Sequence, residues 1–217
     1  MEDTNIQTPI NLPRLGSPAP QFEAVTTHGT LRLEDYKGSW VILFSHPADF
    51  TPVCTTEFIG FAEIYPQLKE MNTELLGLSI DSVYSHIAWV RNIKEKMGVD
   101  IPFPVIADLN KDVASLYGMV MPGESNTETS RCVFIIDDKQ IVRTMIYYPL
   151  TTGRNMDEIL RVIQALQTSD EHSVATPANW RPGDKVIVPP PKTAEAAEVR
   201  VGEGHECKDW YFCKKSL

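Results

Sequence analysis

Trp40-Val41-Ile42-Leu43-Phe44-Ser45-His46 runs directly into Pro47-Ala48-Asp49-Phe50-Thr51-Pro52-Val53-Cys54-Thr55-Thr56-Glu57-Phe58, and this junction decides the fold. The first part is a continuous apolar run with β-branched content, which reads as a buried strand. Pro47 to Pro52 reads as a loop. From Val53 to Met71 the apolar positions Cys54, Phe58, Phe61, Tyr65 and Leu68 recur in steps of four and three, one stripe of a helix that faces a core. Pro52 suits the first helical position and Thr51 before it suits the cap. Cys54 then falls in the first turn, where unpaired backbone N–H groups and the helix dipole favour a thiolate.

Outward from the junction, strands and helices alternate. Glu74 to Asp81 reads as a strand, and Tyr84 to Met97 as a helix closed by Gly98. Pro104 to Asp108 reads as a short strand and Lys111 to Tyr117 as a short helix closed by Gly118. Arg131 to Asp137 and Ile141 to Tyr148 are two strand-like runs separated by three residues, which fits a hairpin. Asn155 to Thr168 carries Ile159, Val162, Ile163 and Leu166 on one helical face. This order predicts an α/β fold with helices flanking a mixed sheet. Beyond about residue 170, Pro177, Pro182 and Pro189 to Pro191 interrupt any regular element, so residues 1–169 are expected to form the main domain and 170–217 an arm.

Composition narrows the function. The chain has 217 residues, 42% of them hydrophobic, enough for one sizeable core. A formal net charge of -9 argues against nucleic acid, whose phosphates are bound by Lys and Arg. Met1 to Leu15 shows no secretory apolar region, and no run approaches the roughly 18 apolar residues of a membrane span. A cytoplasmic protein is expected. Its four cysteines are too few for a disulfide scaffold, so they are candidates for catalysis, metal binding or core packing.

A cysteine that only packs in a core gains nothing from a helix start, an adjacent Thr and a proline-rich approach. The segment PADFTPVCTTEF, with Gly16 to Phe22 before it and Thr129-Ser130-Arg131 after it, resembles the peroxiredoxin family. The whole chain takes part in that resemblance. It is closest to the one-Cys-like, long-tailed, archaeal-type branch of the AhpC/TSA superfamily. The resemblance implies a thioredoxin-like fold with a C-terminal arm, and reduction of hydroperoxides to water or alcohols. It also implies that Cys54 is the nucleophile, that Thr51 holds the peroxide, that Pro47 shields the sulfur, and that Arg131 lowers the sulfur's pKa and orients the substrate. Glu57 would position an arginine, for which Arg154 is a further candidate. His46 either touches the sulfur or is a hydrogen-bonded core histidine. Full ionisation of an ordinary thiol gains at most roughly thirtyfold at neutral pH, so the remaining acceleration is expected from donors aligned on the breaking O–O bond.

A sulfenic acid formed on Cys54 would condense with a second thiol. Cys132 alternates with Arg131 along a strand and is read as core packing. Cys207 and Cys213 are the better candidates, and a disulfide to either requires the turn around Cys54 to unwind. By resemblance, Cys213 of a neighbouring subunit is the resolver (Cys54–Cys213 between chains) and Cys207 its exchange partner (Cys207–Cys213 as the alternate disulfide). The resemblance also implies a thioredoxin-like dithiol reductant and a homo-oligomer, a dimer or a decamer built as a pentamer of dimers, with no metal or organic cofactor. Zinc held by His205, Cys207 and Cys213 beside a one-cysteine cycle is an alternative, and an oligomeric holdase chaperone is another. A thioredoxin-type oxidoreductase is excluded because Thr55, Thr56 and Glu57 follow Cys54 where a C-x-x-C pair is needed. The G-x-S-x-G motif of a lipid hydrolase is also missing.

Overall fold

The computed structural model describes residues 12–200 and 205–217. The expectation for the first residues of the chain therefore lies largely outside the described part, as does Gly204. Two compact units are present, 1–156 and 157–217, so the division falls at the start of the last long helix and not after it.

The first unit is built on a seven-stranded sheet. In chain order its strands are β1 (Glu23–Thr26), β2 (Gly29–Arg32), β3 (Trp40–Ser45), β4 (Thr73–Ser79), β5 (Val105–Ala107), β6 (Arg131–Ile136) and β7 (Val142–Tyr148). Across the sheet they run β2-β1-β5-β4-β3-β6-β7. β3, β4 and β5 are mutually parallel, and the remaining pairs are antiparallel. The expected mixed sheet is thus present. The β1–β2 hairpin was not anticipated, because four-residue strands with mostly exposed side chains show no clear alternation.

Helix α1 (Pro52–Glu70) follows β3, α2 (Val83–Met97) follows β4, and the short α3 (Asp112–Leu116) follows β5. Ser82 caps α2 by accepting from the Ser85 N–H, and Gly98 closes it with φ +74°. Every residue of β3 and β6 is buried, and alternation sends their side chains to two faces. Val41, Leu43, Cys132, Phe134 and Ile136 join one apolar layer with Leu76, Ile106 and Tyr117. Phe44 points the other way, where its ring stacks on Phe61 at 4.1 Å and meets Phe58 and Phe103 edge-on. The α1 stripe differs from expectation in two places: Ile64 is buried where Tyr65 is half-buried, and the charged Glu57 is buried on the same face.

The second unit begins with α4 (Met156–His172) and includes β8 (Val186–Val188), α5 (Ala194–Arg200), β9 (Glu206–Asp209) and β10 (Phe212–Lys215). Its strands form an antiparallel sheet in the order β8-β10-β9. Ala165, Val174, Trp180 and Val186 make a small core. The expectation that prolines exclude regular structure here is corrected. Pro189 to Pro191 lie just beyond β8, where they end a strand and interrupt none.

Phe58 is fully buried and touches Phe44, Phe103, His46 and Trp89, so it ties α1 to the sheet and to α2. Phe58→Ala is expected to lower unfolding free energy by about 3–5 kcal/mol, read as a shift of the urea midpoint.

Candidate active site

β3 ends at Ser45, a short loop follows, and α1 starts at Pro52 with Cys54 in its first turn. Thr51 occupies the cap position as expected, but its side chain does not cap the helix. Its hydroxyl donates to the Ala48 carbonyl at 3.0 Å, which bends the loop back on itself. Pro47 is buried. The sulfur of Cys54 is buried too, and Arg131 Nη1 donates to it at 3.4 Å.

Three elements converge to hold Arg131. It opens β6, its Nε donates to the Leu150 carbonyl at 2.9 Å, and its Nη1 also donates to Glu57 Oε2 at 2.6 Å. Glu57 stands three residues after Cys54, hence on nearly the same face of α1. Arg154 grips the other side of this carboxylate: Nη2 reaches Oε2 at 2.7 Å, Nε reaches Oε1 at 3.0 Å, and the Arg154 backbone N–H reaches Oε1 at 2.9 Å. Its Nη1 donates to the carbonyls of Ser45 and Cys132 at 2.9 and 3.0 Å, which fastens the helix to the two central strands. Arg154 is therefore an interior residue. A planar fork that satisfies a carboxylate and two carbonyls at once is a task lysine cannot perform.

Cys132 lies on the opposite face of β6, and burial pushes its thiol up to about 12, against a weaker opposing hydrogen bond with Ser45. A thiol so placed stays protonated and inert. In the second unit Cys207 and Cys213 are joined as a disulfide.

His46 does not face an open site. It is fully buried, packs on Phe58 and Trp89, and pairs through Nε2 with Asp49 Oδ1 at 2.9 Å. The same carboxylate meets His86 Nδ1 at 2.8 Å, and His86 Nε2 meets the Ile106 carbonyl at 3.1 Å. Asp49 and His86 were missed in the sequence. The available signal was His86 on the same α2 stripe as Trp89 and Ile93, a polar residue where apolar ones recur. His46, Asp49 and His86 place ligand-type atoms within 4.8 Å of one another, the one such group among the described residues. These atoms already hydrogen-bond each other, so the cluster is a proton-linked network and not an ion cage.

Burial holds the His46 imidazole below its ordinary pKa, only partly offset by the Asp49 hydrogen bond. Burial also opposes ionisation of Asp49, but hydrogen bonds from His46 and His86 outweigh it and keep that carboxyl well below the usual range.

A cysteine at a helix start, touched by a buried guanidinium that is itself braced by a carboxylate, is an arrangement suited to thiol-based redox chemistry. Comparison with known proteins identifies the class further. Residues 15–145 match the AhpC/TSA family, and residues 165–204 match the C-terminal domain of 1-Cys peroxiredoxin. A peroxiredoxin of Aquifex aeolicus is 59% identical, with 96% of this chain and 99% of that one covered. A peroxiredoxin of Methanosarcina mazei is 56% identical, covering 94% and 98%. Among solved structures, a yeast mitochondrial 1-Cys peroxiredoxin, described with thiol resolution via glutathione/thioredoxin systems, superposes with TM-score 0.82 at 42% identity and covers 94% of this chain and 99% of its own. Peroxiredoxin 6 of Arenicola marina, as a Cys-to-Ser mutant, gives 0.84 at 41% identity, covering 94% and 97%. The chain belongs to the AhpC/TSA family of peroxiredoxins. It has the thioredoxin-like fold and is a thiol peroxidase, an oxidoreductase.

The buried histidine and carboxylate make the fold acid-sensitive. An unfolded His46 binds a proton below about pH 6.5 while the folded one resists it, so stability present above that value is lost as pH falls. Asp49 adds stability that is present above about pH 4 and lost below it. The melting temperature is expected to drop between pH 7 and pH 5, and to drop less in His46→Gln, which keeps a donor for Asp49 but does not titrate. An equal drop in both proteins would contradict this.

Proposed function

We propose that Cys54 reduces hydrogen peroxide and organic hydroperoxides as the nucleophile. Its sulfur would attack one peroxide oxygen, forming the S–O bond as the O–O bond breaks. The departing oxygen takes up a proton and leaves as water or alcohol, and Cys54 becomes a sulfenic acid. The observation that carries this reading is the Arg131 Nη1 contact with Sγ, made from a guanidinium already fixed on Glu57. Two guanidinium groups and one carboxylate leave this buried set one negative charge short of neutrality, and the sulfur is the group in contact that can supply it. Arg131 would also donate to the peroxide as charge moves to the departing oxygen. Thr51 and Pro47, in the loop before the helix, complete the substrate site in this scheme, and Arg154 and Glu57 support Arg131.

In the second half of the cycle, Cys213 of a neighbouring subunit would condense with the sulfenic acid, releasing water and leaving a Cys54–Cys213 disulfide. Cys207 would attack Cys213 in that disulfide, freeing Cys54 and forming Cys207–Cys213. A free Cys54 in one unit and a Cys207–Cys213 disulfide in the other are consistent with the state this exchange would leave behind. A thioredoxin-like dithiol would then reduce the tail and become a disulfide itself. The proposed assembly is a cytoplasmic dimer, further built into a decamer. The match of residues 165–204 to a 1-Cys peroxiredoxin domain favours a second reading, in which an external thiol attacks the sulfenic acid directly.

Cys54→Ser is expected to reduce peroxide consumption to background. Arg131→Lys, which keeps the charge and loses the fork, should slow the first turnover on the order of a hundredfold. Non-reducing mass spectrometry after one equivalent of peroxide separates the two cycles. A Cys54–Cys213 link between chains supports tail resolution, whereas a persistent sulfenic acid beside reduced tail thiols supports the one-cysteine cycle.

A further inference from the structure

Asp49 anchors the active-site loop from within. The next residue, Phe50, adopts φ +55°, a left-handed conformation that an aromatic residue takes only when its surroundings impose it. Asp49 supplies that constraint. Its backbone N–H donates to Asp81 Oδ2 at 3.0 Å, and its carboxylate meets His46 at 2.9 Å and His86 at 2.8 and 3.0 Å. His46 belongs to the same stretch of chain and moves with the loop. His86 is brought in by α2 and is fully buried, so it ties the carboxylate side chain to a separate rigid element.

The ring of His86 spans two partners: Nδ1 faces the Asp49 carboxylate, and Nε2 faces the Ile106 carbonyl, which can only accept. The His46 ring has Nδ1 without a partner and gives one donor to Asp49 through Nε2.

We propose that His86 is a positioning residue for peroxide reduction: held between the Ile106 carbonyl and Asp49, it sets the loop that delivers Pro47 and Thr51 to the first turn of α1. This rests on Cys54 as the peroxide-reducing group. His86 touches neither substrate nor sulfur, and its effect passes through Asp49 and the left-handed turn at Phe50. Misplacing a reacting or binding group by about 1 Å can cost two orders of magnitude in rate, so one buried contact on this loop suffices to matter.

The test compares two amides that each mimic one ring nitrogen. His86→Asn keeps a donor at the Nδ1 position, toward Asp49, and gives up the Ile106 carbonyl. His86→Gln keeps the donor toward Ile106 and loses Asp49. Single-turnover oxidation of Cys54 is expected to slow at least tenfold in His86→Gln and to stay within about threefold of wild type in His86→Asn. A purely space-filling role gives the reverse order, because Asn leaves the larger void. Wild-type rate in His86→Gln, or a slower His86→Asn than His86→Gln, overturns the proposal. The parent reading is tested separately, by loss of peroxide consumption in Cys54→Ser.

Discussion

The carboxylate of Glu57, buried between two guanidinium groups, is the contact on which the rest of the site depends. Arg131 comes from β6, Arg154 from the segment after β7, and Glu57 from α1, so one cluster of hydrogen bonds joins helix to sheet. Burying three charges costs several kcal/mol per ion unless each is paired and its remaining donors are satisfied. Here further donors of the two arginines end on the carbonyls of Ser45, Cys132 and Leu150 and on Cys54. Removing Glu57 leaves two guanidinium groups in the core without their carboxylate, so the cluster enforces a single arrangement. That arrangement presents Arg131 to the sulfur.

The same principle recurs on the loop side. Asp49 is ionised inside the protein because histidine donors surround it, and the chain pays for the uncommon backbone of Phe50 with those contacts. The reacting turn is thus bounded by two buried polar clusters, one organised by Glu57 beneath the helix and one by Asp49 behind the loop. Between them lies a helix start that has to release Cys54 if a tail cysteine is to reach it, since disulfide geometry brings Cα atoms to about 4.4–6.8 Å. Two buried polar clusters flanking the turn fix its surroundings, while the turn itself is held by local backbone hydrogen bonds such as Thr55 N–H to the Thr51 carbonyl.

The apolar layers explain why the site can be so polar. Phe44, Phe58, Phe61 and Phe103 interlock between α1 and the sheet, and Arg154 lies over the rings of Phe44 and Phe61 at 5.1 and 5.3 Å. Aromatic faces favour a guanidinium held against them, so the packing that excludes water also accommodates the cation. On the other face of β6, burial of Cys132 outweighs the opposing Ser45 hydrogen bond and the pull of Arg154, and it remains an inert thiol. Two cysteines in one unit therefore differ in chemistry because of which side of a sheet, and which neighbours, they were assigned.

By itself the sequence determined the strand, loop and helix around Cys54, the order of the main strands and helices, the β6–β7 hairpin and the core placement of Cys132. All of these follow from periodicity, turn residues and caps within one short window, and local interactions settle them. The β1–β2 hairpin and the tail sheet were not legible because strands of three or four residues are too short for alternation to show. Only the tertiary structure decided that Arg154 is interior, that the Thr51 hydroxyl turns to Ala48 instead of capping α1, and that Asp49 and His86 meet. Glu57 and Arg154 are far apart along the chain, as are Asp49 and His86. A side chain's partner at such separation is set by how the sheet stacks its strands and helices, and a linear pattern of residue types carries no record of it.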